Sequence, residues 1–209
     1  MPRPREPHRD AGTPRPRRTH GGTHSVDTGQ ADASHSSTHG EPFGTASPVT
    51  HPTGQPGGIP TGHPTRIGKR EDPQVKRALE LENSAAVQLA GKGHNLHQNP
   101  STAQIAQARE ATGDTGKPKS EPDFLLDGRV FDCYSPSPTK PVRGIWTEVA
   151  EKVSDGQTQR VVVNTTDWQG DMSDLQRQFS DWPIDDLKEV KVLTQNGDIM
   201  QIIPFDGPK

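Results

Sequence analysis

The chain is poor in the groups that usually hold a protein together. It has one cysteine, Cys133, which excludes an internal disulfide framework. It has no apolar run of about 18 residues, so no membrane-spanning helix is expected. Aromatic residues make up only 4% of its 209 residues, and no leucine occurs before Leu79. Before residue 71 the only Val, Ile or Phe are Val26, Phe43, Val49, Ile59 and Ile67, while 11 of the 21 prolines, 11 of the 21 glycines and seven of the nine histidines lie there. Such a stretch buries too little apolar surface to offset the entropy of ordering. Residues 1–70 therefore read as a disordered Pro/Gly/His/Thr-rich linker, and residues 71–209 as one folded domain. The opening PRPREPHRDAGTPRPRR has no apolar core, so it does not read as a secretory signal peptide. His20 and His24, and His35 and His39, stand four apart, but Gly21-Gly22 and the Ser/Thr around them give no helix to present them to a metal.

Charge divides at the same place. Residues 1–70 carry nine Arg or Lys against five acids; residues 71–209 carry 15 against 22. An acidic domain argues against phosphate binding through a broad basic face. It leaves room for a nuclease whose active site gains positive charge from a metal.

Within 71–209 the elements are marked by period and punctuation. Asp72-Pro73 is a helix start, and Val75, Leu79, Ala86 and Leu89 form an apolar stripe running to Gly91–Gly93, with Glu82 on the stripe. His94–Gln98 reads as a short strand stopped by Asn99-Pro100, and a helix follows from about Thr102 to Glu110. Val142, Ile145, Trp146, Val149 and Val153 predict another helix with Lys152 beside its stripe. Arg160–Asn164 reads as a strand buried on both faces. Asp171 to about Phe179 is a helix, and two runs around Asn196-Gly197 form a hairpin. The order predicts an α/β domain with a mixed β-sheet flanked by helices. Trp146, Trp168 and Trp182 are expected to pack.

The stretch EPDFLLDGRVFDCY holds the most informative conflict. Asp127-Gly128 predicts a two-residue hairpin turn. Leu126 then faces Arg129, Leu125 faces Val130, Phe124 faces Phe131, and Asp123 faces Asp132. Two carboxylates about 5 Å apart do not both stay ionised unless a shared proton, an Arg or Lys, or a divalent metal lies between them. Mg²⁺ suits such a place, because it takes oxygen ligands and is often held by one or two carboxylates with water and phosphate. Glu82 is a third carboxylate able to face the spot, and Lys152 an ammonium able to orient a water or offset charge on a phosphate. In this register Cys133 faces away, as an inert buried thiol.

The pattern ENSAAVQLA…QNP…PDFLLDGRVFDCYSP…EKVSDGQTQRVVVN resembles the C-terminal nuclease domain of bacterial contact-dependent growth-inhibition toxins, the CdiA C-terminal tRNase family. The likeness runs from about Glu80 to Pro204. It implies a restriction-endonuclease-like, PD-(D/E)xK core and a metal-dependent endonuclease that cuts tRNA with Mg²⁺ or another divalent cation. Asp123 resembles the aspartate of the PD element, a metal ligand, Asp132 the second acidic ligand, Glu82 the helical glutamate that completes the metal-binding acidic cluster, and Lys152 the catalytic lysine. The lysine expected two residues after Asp132 is replaced by Tyr134, so Lys152 takes that role from the next helix. Tyr134, Gln157 and Arg160 are substrate-binding candidates, by base stacking and phosphate contact. The resemblance also implies export from the producing bacterium, action in the target-cell cytoplasm, and a cognate immunity protein as partner. A DNA endonuclease on the same core, and a non-catalytic protein-binding module, are the competing readings.

Overall fold

The structure, a computed structural model, describes residues 49–205. Residues 1–48 of the linker expected over 1–70, with its paired histidines, lie outside the described residues. Seven strands form one sheet in chain order: β1 (Thr61–Gly62), β2 (Leu96–Gln98), β3 (Phe124–Leu126), β4 (Arg129–Tyr134), β5 (Arg160–Asn164), β6 (Glu189–Leu193) and β7 (Ile199–Ile203). Four helices accompany them: α1 (Pro73–Gly91), α2 (Thr102–Thr112), α3 (Val142–Ser154) and α4 (Met172–Asp181). The pairs β1–β2, β4–β5 and β5–β6 are parallel and the other three antiparallel, so the sheet is mixed, as expected. Each parallel step contains a helical crossover, and each tight turn joins antiparallel neighbours.

The local signals place these elements within a residue or two. The Asp72 side chain accepts from the amides of Gln74 and Val75 and caps α1, with proline in the first turn. Asp127 and Gly128 both have positive φ, 48° and 79°, the twist a two-residue hairpin needs. The expected register follows: Leu126 opposite Arg129, Leu125 opposite Val130, Phe124 opposite Phe131.

Helices cover both faces. Ala85, Ala86 and Leu89 of α1 pack on Phe124, Leu126, Phe131, Cys133 and Val162. On the other face Ile145 and Val149 of α3, with Leu175 and Phe179 of α4, pack on Val161, Val163, Val190 and Val192. Adjacent valines of β5 thus point to opposite cores, as a strand buried on both faces requires. The stripe on α1 is narrower than the spacing predicts: Val75 is exposed and burial begins in the helix's second half. Trp168 is buried, while Trp182 is 58% exposed and does not pack as expected.

The larger correction is the domain boundary. The strap formed by residues 49–70 runs against the domain. Thr50 N–H and hydroxyl donate to the two oxygens of buried Glu189, at 2.9 and 2.6 Å. Thr53 N–H and hydroxyl both donate to Asp127 Oδ1, at 2.8 and 2.7 Å. Thr61–Gly62 add a parallel edge strand to β2. Gly62 fits because it has no side chain: at φ 81° an added Cβ would stand 2.1 Å from the Gln98 carbonyl oxygen. Hydrogen bonds, rather than apolar burial, fasten this segment, and composition does not register them.

Candidate active site

The site forms where β4 changes partners. β3 begins at Phe124, whereas β4 continues to Tyr134 and pairs Asp132–Tyr134 with Val161–Val163 of β5. Beyond Phe131 the β3 side of β4 therefore lacks a strand partner. The Asp123 carboxylate fills in, its Oδ2 accepting from the Cys133 amide at 2.7 Å. The same amide lies 3.0 Å from Asp132 Oδ1, so it draws the two carboxyls together.

Asp132 is 1% exposed. It points to the α3 face, where Lys152 Nζ donates to its Oδ2 at 2.9 Å; the Cys133 amide lies 3.0 Å from its Oδ1. Lys152 reaches it from the last turn of α3, flanked by buried Val149 and Val153. Burial pulls against the Lys152 ammonium, but the Asp132 charge and hydrogen bond outweigh it and hold its pKa above the ordinary value. Glu82 stands on α1 close enough to feel Asp132 and Lys152. Burial raises its pKa, while hydrogen bonds from Thr65 and Gln98 act the other way. Asp123 is pushed well above the usual carboxylate range, first by burial, then by the bond and charge of Asp132 and the charge of Glu82. A pocket of carboxyls that raises the pKa of one of its members is one a cation would relieve.

The expected acids and Lys152 are thus brought together. Among the described residues no group of three His, Cys, Asp or Glu side chains is arranged to hold a metal by itself. The donors fit Mg²⁺ as a two-carboxylate site, Asp123 with Asp132, completed by water and substrate phosphate. Cys133 packs on the α1 face and burial holds its thiol well above the ordinary value, so it stays protonated.

Residues that the local sequence does not flag hold Glu82. The Thr65 hydroxyl donates to Glu82 Oε1. Thr65 is itself clamped by Asn83, whose Oδ1 accepts the Thr65 amide at 2.8 Å and whose Nδ2 donates to the Thr65 carbonyl at 3.0 Å. Gln98 Nε2 donates to Asn83 Oδ1 at 2.7 Å and Asn99 Nδ2 to Thr65 Oγ1 at 2.9 Å. The QNP run, noticed as part of the resemblance, therefore braces the strap on Glu82. Thr65 lies in the presumed linker and carries no signal of its own.

A solved structure, the CdiA-CT/CdiI toxin and immunity complex from Burkholderia pseudomallei, is 34% identical to this chain, covering 69% of it and 98% of the solved chain, with a TM-score of 0.58. The chain belongs to the CdiA C-terminal family. Residues 119–199 match the family described as the contact-dependent growth inhibition CdiA C-terminal domain. A curated relative named tRNA nuclease CdiA-2, from Burkholderia pseudomallei (strain 1026b), is 35% identical over 174 residues, 83% of this chain. The chain spans 5% of that protein's length. Asp123, Asp132 and Lys152 fall inside the stretch matched to the CdiA C-terminal domain; Glu82 precedes it.

The substrate-binding candidates of this CdiA C-terminal domain fare differently. Tyr134 is half-buried against the α3–α4 core, with burial raising its pKa. The Gln157 amide and carbonyl are used by Lys152, Arg109 and Ser120. Arg160 is corrected. It is 3% exposed, with Nε 3.0 Å from Asp114 Oδ2 and Nη1 2.6 Å from Glu189 Oε2. A guanidinium so buried and paired is a structural ion in the sheet and does not reach a substrate phosphate.

Proposed function

We propose that this domain is a metal-dependent endoribonuclease that cleaves tRNA, a toxin of inter-bacterial competition on a PD-(D/E)xK-type core. The observation that carries the reading is the Lys152–Asp132–Asp123 contact with Glu82 beside it, in a chain 35% identical to a protein named tRNA nuclease CdiA-2. Asp123 and Asp132 are the metal ligands, with Glu82 as the outer carboxylate. A bound Mg²⁺ supplies Lewis-acid polarisation of the scissile phosphate and a lowered pKa for an attacking water.

The chain's own residues do the rest. Lys152, kept protonated and fixed by Asp132, offsets the negative charge that builds on the phosphate oxygens. Glu82, oriented by Thr65, accepts a hydrogen bond from the attacking water. The Cys133 amide fixes one oxygen of Asp123 and leaves the other for the ligand. Export to the target cell, action in its cytoplasm and neutralisation by an immunity protein belong to the same reading. Among the described residues no helix is long and apolar enough to cross a membrane.

Incubation with total tRNA, and separately with plasmid DNA, each with Mg²⁺ or with EDTA, tests this. Mg²⁺-dependent tRNA cleavage lost in Asp132→Asn is expected. Cleavage of plasmid alone makes it a DNase. Cleavage indifferent to EDTA removes the metal, and a folded chain that cuts neither is a binding module.

A further inference from the structure

A domain of net negative charge offers a polyanionic substrate little overall attraction, so the substrate must find positive charge locally. The strap supplies it. Residues 49–70 contain Arg66, Lys69 and Arg70 and no Asp or Glu, whereas residues 71–209 carry 15 Lys or Arg against 22 acids. All three cations are exposed. None of them makes an ion pair among the described residues. Their position is set by the site: Arg66 follows Thr65, whose hydroxyl touches Glu82. A turn closed by the Glu71 amide on the Gly68 carbonyl, at 3.3 Å, holds Lys69 and Arg70 at the foot of α1. From there to Glu82 is about 14 Å along the helix at 1.5 Å per residue. Arg66 thus adjoins in the chain the residue that touches Glu82, and Lys69 and Arg70 precede α1, on which Glu82 stands, with Glu71 and Asp72 directly after them.

We propose that Arg66, Lys69 and Arg70 are the contact through which this domain grips the tRNA backbone, leading the scissile phosphate to Asp123 and Asp132. This rests on the endoribonuclease reading. The strap then acts twice: Thr65 orients Glu82 and the next residues bind phosphate. Substrate affinity becomes strongly salt-dependent although the domain is acidic, because each phosphate contact releases counterions.

The test uses the full chain in a Glu82→Gln background, which preserves the shape of the side chain, and measures tRNA binding across a salt series. Changing Arg66, Lys69 and Arg70 together to Gln should weaken binding about tenfold or more at low salt and make the log-affinity against log-salt slope shallower by about two. A charge-keeping variant, with Arg66→Lys, Lys69→Arg and Arg70→Lys, should retain the slope. Equal slopes for the Gln variant and the parent overturn the proposal, and association of the Gln variant with itself would then assign these cations to protecting the β1 edge. Weaker binding at an unchanged slope overturns it too. A parent chain that neither binds nor cleaves tRNA brings down the nuclease reading itself, an outcome distinct from cleavage that persists without the three charges.

Discussion

Asp123 and Asp132 differ in what their removal does, although the hairpin places them side by side. Burial, Asp132 and Glu82 push the Asp123 carboxyl well above the ordinary carboxylate range. Its folded-state pKa lies above the unfolded value near 4, so from about pH 4 upward the folded state binds the extra proton and stability falls as pH rises. Asp123→Asn, which keeps the acceptor for the Cys133 amide, should raise stability in metal-free buffer at pH 7 by about 1 kcal/mol. The gain should vanish at pH 3, measured by urea denaturation at both values. Asp132 differs: it is buried and paired with Lys152, and Asp132→Ala leaves a mostly buried ammonium without its hydrogen-bonded carboxylate. Loss of about 1–3 kcal/mol is expected, below the cost of breaking a fully buried pair because the Lys152 side chain is 22% exposed. Either change should abolish cleavage. Thr65→Val should lower turnover about 10- to 100-fold, the usual cost of losing a group that orients a ligand, and Thr65→Ser should restore it. A valine variant with unaltered turnover would mean that Glu82 needs no such support.

At the scale of elements, the β3–β4 hairpin and the strap are tied through one turn residue. Asp127 takes left-handed φ for the turn, and its carboxylate accepts from Thr53 and the Asn95 amide and lies 2.5 Å from His94 Nδ1. Its burial is outweighed by the hydrogen bonds from His94, Thr53 and Asn95, which hold its pKa below the ordinary carboxylate value. The stability this adds is complete above the unfolded pKa near 4 and is lost as pH falls through the lower folded value. Asp127→Asn keeps the turn and should cost about 1–2 kcal/mol at pH 7, with the difference from the parent shrinking below pH 4. β1 depends on Gly62 in the same way. Gly62→Val drives a side chain into the Gln98 carbonyl and should release the strap, seen as new protease cleavage between residues 55 and 68 with the core intact. Resistance equal to the parent's would show that β1 does not hold it.

Across the whole molecule, a buried charge network joins β5 and β6 to the loop after α2 and to the strap. Arg160 on β5 bridges Asp114, from the loop after α2, and Glu189 on β6; Glu189 also takes Lys191 and Thr50. Both strap anchors, Glu189 and Asp127, thus lie on the domain's own framework. Glu189→Ala should take from Arg160 and Lys191 the carboxylate they share and cost about 3–5 kcal/mol, measured by thermal unfolding. A loss below about 1 kcal/mol would show that the network is not a unit.

Turn chemistry and periodicity act over a few neighbouring residues, which is why the hairpin register, the ends of α1 and β5, and the adjacency of Asp123 and Asp132 were determined by the sequence by itself. Lys152 was legible only as the charged flank of an apolar stripe; its contact with Asp132 depends on where the α3 crossover lays that stripe on the sheet. The chain's path alone decided the rest. The same Asp127-Gly128 that announces a turn gives no hint that Thr53 will bind there, since partners 74 residues apart are chosen by topology. Composition marked the strap as linker because it counts apolar area, whereas hydroxyls, amides and a missing Cβ fasten that segment. Arg160 resembled a phosphate contact beside an apolar run, and only the neighbouring strands, bringing Asp114 and Glu189 to it, turned it into an interior ion.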